Sequence, residues 1–390
     1  MSLGLRRYRG VRPSEQRGIA LALFAAGTMA IVAVAGLALD LGMGYLNKTR
    51  LQNALDAAAL SGAKTLMLTG SASLATTAAL TTFNLNNVTM NGAPAPTVET
   101  SPTLTPFSSG GLNPRFLRVS VPALPVSAYF ARVLPEVGDT FNVGGTAVAG
   151  PQPLGEICRS LPVALCGTPG DSDCSDGSCF GITGSPLTGE LEIKGDNSSL
   201  GPGNYGLVRL GCSGAACVRE GMAGGRDFCF TPGGEVTTEP GVASGPTAQG
   251  LNTRFGVYQG GGVSSSEYPP DVVTTNLPAP LVTLNYAAYL ALLAQPGSWN
   301  FPEGVGVPQR RVAPIPIVDC STPINGLTDV AVIGSACLFL TRQVEGGGPN
   351  GGTIYAQLVG TCLTTGGVSE TPPADASAFQ IVLYQNPGGA

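Results

Sequence analysis

Residues 18–39 (GIALALFAAGTMAIVAVAGLAL) run for 22 positions without a charged side chain. As an α-helix rising about 1.5 Å per residue, the run is about 33 Å long, enough to cross a hydrocarbon core of about 30 Å. Its strongly apolar residues, among them Ile19, Leu21, Leu23, Phe24, Ile31 and Val34, contribute about −3 to −5 kcal/mol toward insertion, and most of the rest is Ala and Gly. Arg6, Arg7, Arg9, Arg12 and Arg17 precede the run, whereas only Lys48 and Arg50 follow closely. That asymmetry predicts a cytoplasmic N-terminus, with Asp40 at the outer interface, where a carboxylate costs far less than at the centre. The competing reading is a cleaved signal peptide, since Ala33-Val34-Ala35 resembles a cleavage site. Against it stand the length of the run and the helix-forming sequence beyond it. Either reading exports everything from residue 40 onward.

A chain of 390 residues exceeds one ordinary core, so two or three folded units are expected. Gly and Pro number 56 and 32, and charged residues reach only 12 %, about half the usual share. Turns and β-structure are therefore favoured over surface helices beyond the N-terminal quarter. The formal charge is −5 and no basic stripe follows residue 17, which argues against nucleic acid as a partner. The three lysines, Lys48, Lys64 and Lys194, do not complete a phosphate-binding GxxxxGK loop. Histidine is absent and no GxSxG elbow occurs, so triad hydrolases are poor candidates, and neither cofactor nor catalytic residue is assigned.

Residues 40–68 contain no proline and are rich in Ala and Leu, so one helix is expected to run from residue 18 to residue 68. Thr49, Gln52, Asn53 and Asp56 fall on a polar face, and Leu51, Leu55, Ala58, Gly62 and Leu66 on an apolar one that needs a partner. Within the uncharged run, Gly18, Ala22, Ala26 and Ala30 place small residues at every fourth position, a spacing that permits close helix approach, although eight alanines in 22 residues also produce it by chance.

Arg17, Gly18, Phe24, Gly36, Asp40, Tyr45 and Lys48, with the run Leu51, Gln52, Asn53, Ala54, Asp56, Ala57, Ala58, Ala59 and Leu60, resemble the N-terminal segment of the TadE/TadG-like family of tight-adherence (Tad) Flp pilus-assembly proteins. The resemblance implies a membrane-anchored, pilin-like component with pilus or secretion-system partners and helix pairing with pilin-like subunits. Members cleaved by a prepilin peptidase carry a glutamate five residues after the glycine, where this chain has Leu23. An uncleaved TadG-like component is the reading that follows. Looser blocks also resemble TadG-related proteins: residues 128–134 (AYFARVL), 158–166 (CRSLPVALC), 203–206 (GNYG), 236–246 (VTTEPGVASGP) and 310–320 (RRVAPIPIVDC).

After the long helix, residues 71–84 read as a second helix, 115–122 as a strand, 126–134 as a short helix and 140–148 as another strand. Pro151 and Pro153 suggest a linker near residue 150. Further on, 329–333, 337–341 and 354–359 read as strands, and 286–293 (YAAYLALL) as a core helix too short to span a bilayer. All ten cysteines, Cys158, Cys166, Cys174, Cys179, Cys212, Cys217, Cys229, Cys320, Cys337 and Cys362, lie in the exported part, which favours disulfides in an oxidising compartment. The similar spacing of Cys174/Cys179 and Cys212/Cys217 leaves a four-thiolate metal site as the rival, and connectivity is open. Three further patterns are read as ordinary surface: Gly201 to Gly206 (GPGNYG) as a turn, Asp171, Asp173, Ser175 and Asp176 as a solvated loop without an EF-hand's spacing, and Glu190 with Glu192 as exposed acids.

The expected fold class is α+β, with a cytoplasmic basic segment (1–17), a transmembrane helix (18–39), an extracytoplasmic helical region (40–86), a small α+β pilin-like unit (87–150) and a β-rich cysteine-containing domain (151–390). The expected location is the bacterial inner membrane in a single pass, with the bulk in the periplasm or at the cell surface. The functional expectation is a non-enzymatic assembly component, and the alternative is an exported adhesin or carbohydrate-binding protein sharing the anchor. Because Leu23 replaces the glutamate, mass spectrometry of the protein extracted from membranes is expected to recover peptides that read through Gly18 into Ile19. A mature N-terminus at Ile19 would overturn this.

Overall fold

The structure, a computed structural model, describes residues 16–87, 93–133, 138–170, 178–180, 182–183, 189–194, 206–224, 228–274, 284–302, 304–347, 351–360, 362–367 and 377–385. Helix α1 (Gln16–Thr69) is continuous for 54 residues, about 80 Å, as the absence of proline and the Ala/Leu content dictate. Among the described residues it is the one helix long and apolar enough to cross a membrane. Gly70 ends it with a positive φ of 65°, its N–H returning to the Leu66 carbonyl at 2.8 Å. Ser71 then caps α2 (Ala72–Asn86) by accepting from the Leu74 N–H at 3.3 Å. So short a connection forces an antiparallel hairpin, and Ala75, Ala79 and Phe83, four residues apart, bury one face of α2.

The first sheet packs against this hairpin. Strands β1 (Thr97–Ser101), β2 (Phe116–Ser127) and β3 (Thr140–Pro153) pair antiparallel. Alternation in β2 turns Leu117, Val119 and Val121 onto the helices, where they join Leu51, Leu55, Ala58 and Leu66 in one core. The apolar face predicted for residues 51–66 is thus covered by the chain's own sheet and second helix.

Two expectations for this region fail. Residues 126–134 form no α-helix: Val126 and Ser127 complete β2, opposite Phe141 and Thr140, and only a 3₁₀ turn (Ala131–Val133) follows, while Leu134 lies outside the described residues. No linker occurs at residue 150 either, because β3 runs through both prolines. Leu154 N donates to Ala378 O at 3.2 Å, so even-numbered residues turn their N–H toward the neighbouring strand, β14 (Ala378–Tyr384). The missing donors of Pro151 and Pro153 fall on the opposite side, past the end of the β2 pairing at Ala149, where strand proline is tolerated. The chain's last described strand therefore extends the first sheet, in the order β1-β2-β3-β14-β13, with β13 being Cys362–Leu363.

The second sheet is built from β4 (Leu165–Gly167), β7 (Leu191–Lys194), β8 (Val208–Arg209), β9 (Glu235–Thr238), β10 (Val312–Asp319), β11 (Asp329–Leu340) and β12 (Ile354–Val359). Its spine runs β4-β10-β11-β12-β7, with β9 on the first half of β11 and β8 beyond it. A separate hairpin joins β5 (Ser178–Cys179) to β6 (Ile182–Thr183). The two strands expected over 329–341 are one, β11. Its Leu338 and Leu340 face a core with helices α3 (Gly214–Ala223) and α4 (Ser244–Leu251), whereas Cys337 and Phe339 face α5 (Tyr286–Leu293), the predicted core helix. Both faces are covered, so this sheet reads as long apolar runs.

Four disulfides close among the described residues: Cys158–Cys229, Cys166–Cys320, Cys212–Cys217 and Cys337–Cys362. The first two span 71 and 154 residues, and chain entropy alone gives about 4–5 kcal/mol for loops of that length taken singly. Non-reducing peptide mapping is expected to recover these four linkages, and reduction to lower the denaturation midpoint. Ten titratable thiols without reductant would contradict the pairing.

Candidate functional site

Gly36, Asp40 and Gly44 are spaced by four residues and so share one face of α1. Buried among exposed neighbours, they form the first point where the helix is covered. Asp40 Oδ1 accepts from the N–H of Tyr129 at 3.0 Å, and Oδ2 accepts from the N–H groups of Phe130 at 2.8 Å and Ala131 at 2.6 Å. A carboxylate at the start of the 3₁₀ turn thereby satisfies donors that a helical turn leaves open. The Ala131 N–H, followed by those of Phe130 and Tyr129, holds the Asp40 carboxyl below its ordinary value against the opposing effect of burial. These bonds interrupt the helix expected over 126–134, since the donors of residues 129–131 are committed to α1.

The glycines admit aromatic rings. A Cβ on Gly36 would lie 2.6 Å from Cγ of Phe130, and one on Gly44 2.6 Å from Cε2 of Phe141. Further along, Gln52 Nε2 donates to Asp56 Oδ1 at 2.8 Å and to the Thr146 carbonyl of β3 at 3.1 Å. Gly62 lets Leu117 and α2 approach, a Cβ there falling 2.7 Å from Leu117 Cδ1 and 3.0 Å from Ala79 Cβ. The face from Gly36 to Leu66 is therefore a seam fitted to residues of β2, β3 and α2.

The motif residues divide along this seam. Gly36, Asp40, Leu51, Ala54, Ala58 and Ala59 are buried in it. Gln52, Asp56, Ala57 and Leu60 border it, and Phe24, Tyr45, Lys48 and Asn53 are exposed, Phe24 at 76 %. Arg17 and Gly18 lie in the first turns of α1, their side chains outside the described residues. Before Gly36 the helix is bare: Ala22, Ala26, Ala30 and the large apolar residues are all exposed. At the junction Phe130 and Ala131 meet Met29, Val32 and Leu37 around an open apolar cavity of about 460 Å³, with Tyr129 60 % exposed beside it. Sequence reasoning missed Tyr129, Phe130, Gly44 and Phe141. The four-residue recurrence of Gly36, Asp40 and Gly44 was the available signal.

The cysteine and acidic candidates assemble no metal centre among the described residues. Sγ atoms of Cys158 and Cys229 lie near Glu156, but they are bonded to each other. Cys212 and Cys217 are likewise joined, which removes two of the four thiolates in the rival metal reading. Cys174, the side chain of Cys179 and residues 171–176 lie outside the described residues, as do 201–205 of the GPGNYG turn. Glu190 accepts from Arg342 Nη2 at 2.8 Å and from Thr341 Oγ1 at 2.5 Å, and Glu192 is half-buried in β7. Glu190 thereby ties the start of β7 to the end of β11.

A helix bare over its first half and seamed to an α+β unit over its second defines a helix-bearing α+β protein with a candidate membrane span. Residues 18–65 match the Tad family model, described as "Putative Flp pilus-assembly TadE/G-like". The matched segment is therefore TadE/G-like, and it covers the bare half of α1 and most of the seam. Neither the curated proteins nor the solved structures contain a match to the chain.

Replacing Asp40 by Ala is expected to speed hydrogen exchange at the 129–131 amides by about tenfold or more. Since folding lowers the Asp40 pKa, its contribution is complete above the ordinary value of 3.8 and is lost as pH falls through the folded value. Acidification should therefore loosen this loop in the wild type and change the D40A protein little. Unchanged exchange in D40A would show that the carboxylate does not hold the loop.

Proposed function

We propose that this chain is a non-enzymatic, membrane-anchored component of Tad/Flp-type pilus assembly. In this reading residues 18–39 cross the bacterial inner membrane once, the basic N-terminal segment stays in the cytoplasm, and the bulk lies in the periplasm or at the cell surface. The carrying observation is that the TadE/G-like match spans a helix whose uncharged half is uncovered and whose second half is fixed to its own sheet. An apolar surface of that length is stable in lipid or against other apolar helices, not in water. The five arginines before the run support the orientation, and the disulfides suit an oxidising compartment.

Apolar helix pairing through α1 is then confined to the anchor, because the Leu51–Leu66 face is occupied internally. Small residues at Ala22, Ala26 and Ala30 would let a pilin-like helix approach there. The action proposed is positioning and contact, without turnover. Deleting the gene should abolish pili, and the intact gene should restore them. A single cysteine at Ala22 or Ala26 should crosslink to a pilin-like subunit, since the native cysteines begin only at Cys158. Normal pili with lost binding to a surface or glycan would instead support the adhesin reading.

A further inference from the structure

Where the C-terminal end of α1 meets the second half of the chain, a cleft of about 270 Å³ is lined by Lys64, Arg159, Arg254 and Arg310, and no acidic side chain lines it among the described residues. Four cations in one cleft are notable in a chain with 20 lysines and arginines and a net charge of −5. Arg254 is only 3 % exposed. Its Nε donates to the Met222 carbonyl at 2.8 Å and its Nη1 to the Arg310 carbonyl at 2.5 Å. Arg310 is held in the same way, Nε on Pro269 O at 3.0 Å and Nη2 on Ala223 O at 2.7 Å. Neutral carbonyls thus fix both guanidinium planes, and the opposite charge that acts on both is the buried Asp271 carboxylate, which takes its own hydrogen bonds from Val273, Tyr289 and Arg311.

One terminal nitrogen of each arginine is left over, Nη2 of Arg254 and Nη1 of Arg310, and neither has a hydrogen-bond partner among the described residues. Both converge over Gly224, whose φ of +81° caps α3: a Cβ there would lie 2.8 Å from Arg310 Nη1 and 3.0 Å from Arg254 Nη2. Like charges crowd the site. Burial first, and then the charge of Arg310, hold the Arg254 pKa well below its ordinary value against the attraction of Asp271, and burial lowers that of Arg310, aided by Arg159 and opposed by Asp271 and Tyr258. One carboxylate is shared by Arg254, Arg310 and Arg311, and burying cations in such excess is costly unless a further partner supplies opposite charge.

We propose that this cleft binds an oxyanion, a carboxylate or phosphate group, between the free nitrogens of Arg254 and Arg310 with Lys64 closing the α1 side. Pinned guanidinium donors with converging free N–H groups suit such a group, since charge-assisted bonds of this kind are short and strong. With residues 18–39 in the bilayer, Lys64 stands about 38 Å along the helix beyond Leu39, out of reach of a lipid headgroup. The sources left are a free small anion and an acidic segment of an exported partner.

The test is calorimetric titration of the full-length protein in detergent with inorganic phosphate, with succinate and with a short glutamate peptide. The wild type should bind at least one probe, more weakly as NaCl rises. Lys64→Gln and Arg310→Gln should each weaken binding by about tenfold, while Arg342→Gln, which removes a surface pair with Glu190, should leave it unchanged. Tightest binding of the peptide would assign the site to a partner's carboxylates, and tightest binding of phosphate or succinate to a small anion. Should Arg310→Gln fail to fold, Lys64→Gln decides, because Lys64 is exposed on α1. No binding of any probe at millimolar concentration, or binding indifferent to Lys64→Gln, would overturn the proposal.

Discussion

The helical hairpin and the first sheet depend on one contact, the face of α1 from Leu51 to Leu66 lying on β2 and β3. Leu51, Leu55 and Leu66 are fully or almost fully buried there, each worth about 1.5–3 kcal/mol relative to exposure. Small residues set the separation: a Cβ on Gly145 of β3 would lie 2.8 Å from Leu55 Cδ1, and one on Gly62 would strike Leu117 and crowd α2. A larger side chain at either position would push the sheet off the helix. Because β14 extends β3, the same contact also fixes the far end of the chain.

Asp40 marks the upper limit of that contact. A carboxylate at the edge of an apolar segment is expensive if unpaired, and so are backbone N–H groups turned toward an apolar surface. Each solves the other's problem: three donors from residues 129–131 surround one acceptor, and Phe130 fills the space left by Gly36 one turn away. The loop is therefore held where α1 passes from bare to covered. A neutral residue at position 40 would leave the donors open, and a larger residue at 36 would displace the ring.

What was legible in the sequence was local. Helices α1, α2 and α5 follow from composition and periodicity within a few residues, and the structure has them. The expectations that fail involve distant partners. Residues 126–134 have reasonable helical propensity, but their donors belong to Asp40, about ninety residues earlier. Pro151 and Pro153 read as punctuation until the side on which a donor is needed is known, and only β14, more than two hundred residues later, fixes that side. Cysteine pairing across 71 and 154 residues is equally invisible to spacing. Helices α3 and α4 were missed because Gly at 214, 221, 245 and 250 lowers their propensity. Gly221 and Gly250 are instead required by close packing, on Phe228 and on the Arg219 carbonyl.

The adjacent arginines at 310 and 311 show how one residue type serves two purposes within a single turn, closed by the Val312 N–H on the Gln309 carbonyl at 3.1 Å just before β10. Arg310 turns to the cleft beside α1, and Arg311 turns inward. Arg311 has no exposed surface, and its guanidinium donates to the carbonyls of Leu340 at 2.9 Å, Val273 at 3.2 Å and Thr341 at 2.9 Å. It also lies 4.6 Å from the Phe255 ring centroid and 4.7 Å from that of Phe339. Burial brings its pKa down to about 10, which leaves it charged at neutral pH. Asp271, buried beside it, accepts from the Arg311 N–H at 3.0 Å and the Tyr289 hydroxyl at 2.8 Å, tying α5 to the start of β10. An inward cation so fully bonded makes this turn rigid beside the buried charges of Asp271 and Arg254. The same rigidity fixes the backbone that aims Arg310 outward, so the two arginines depend on one another without touching the same groups.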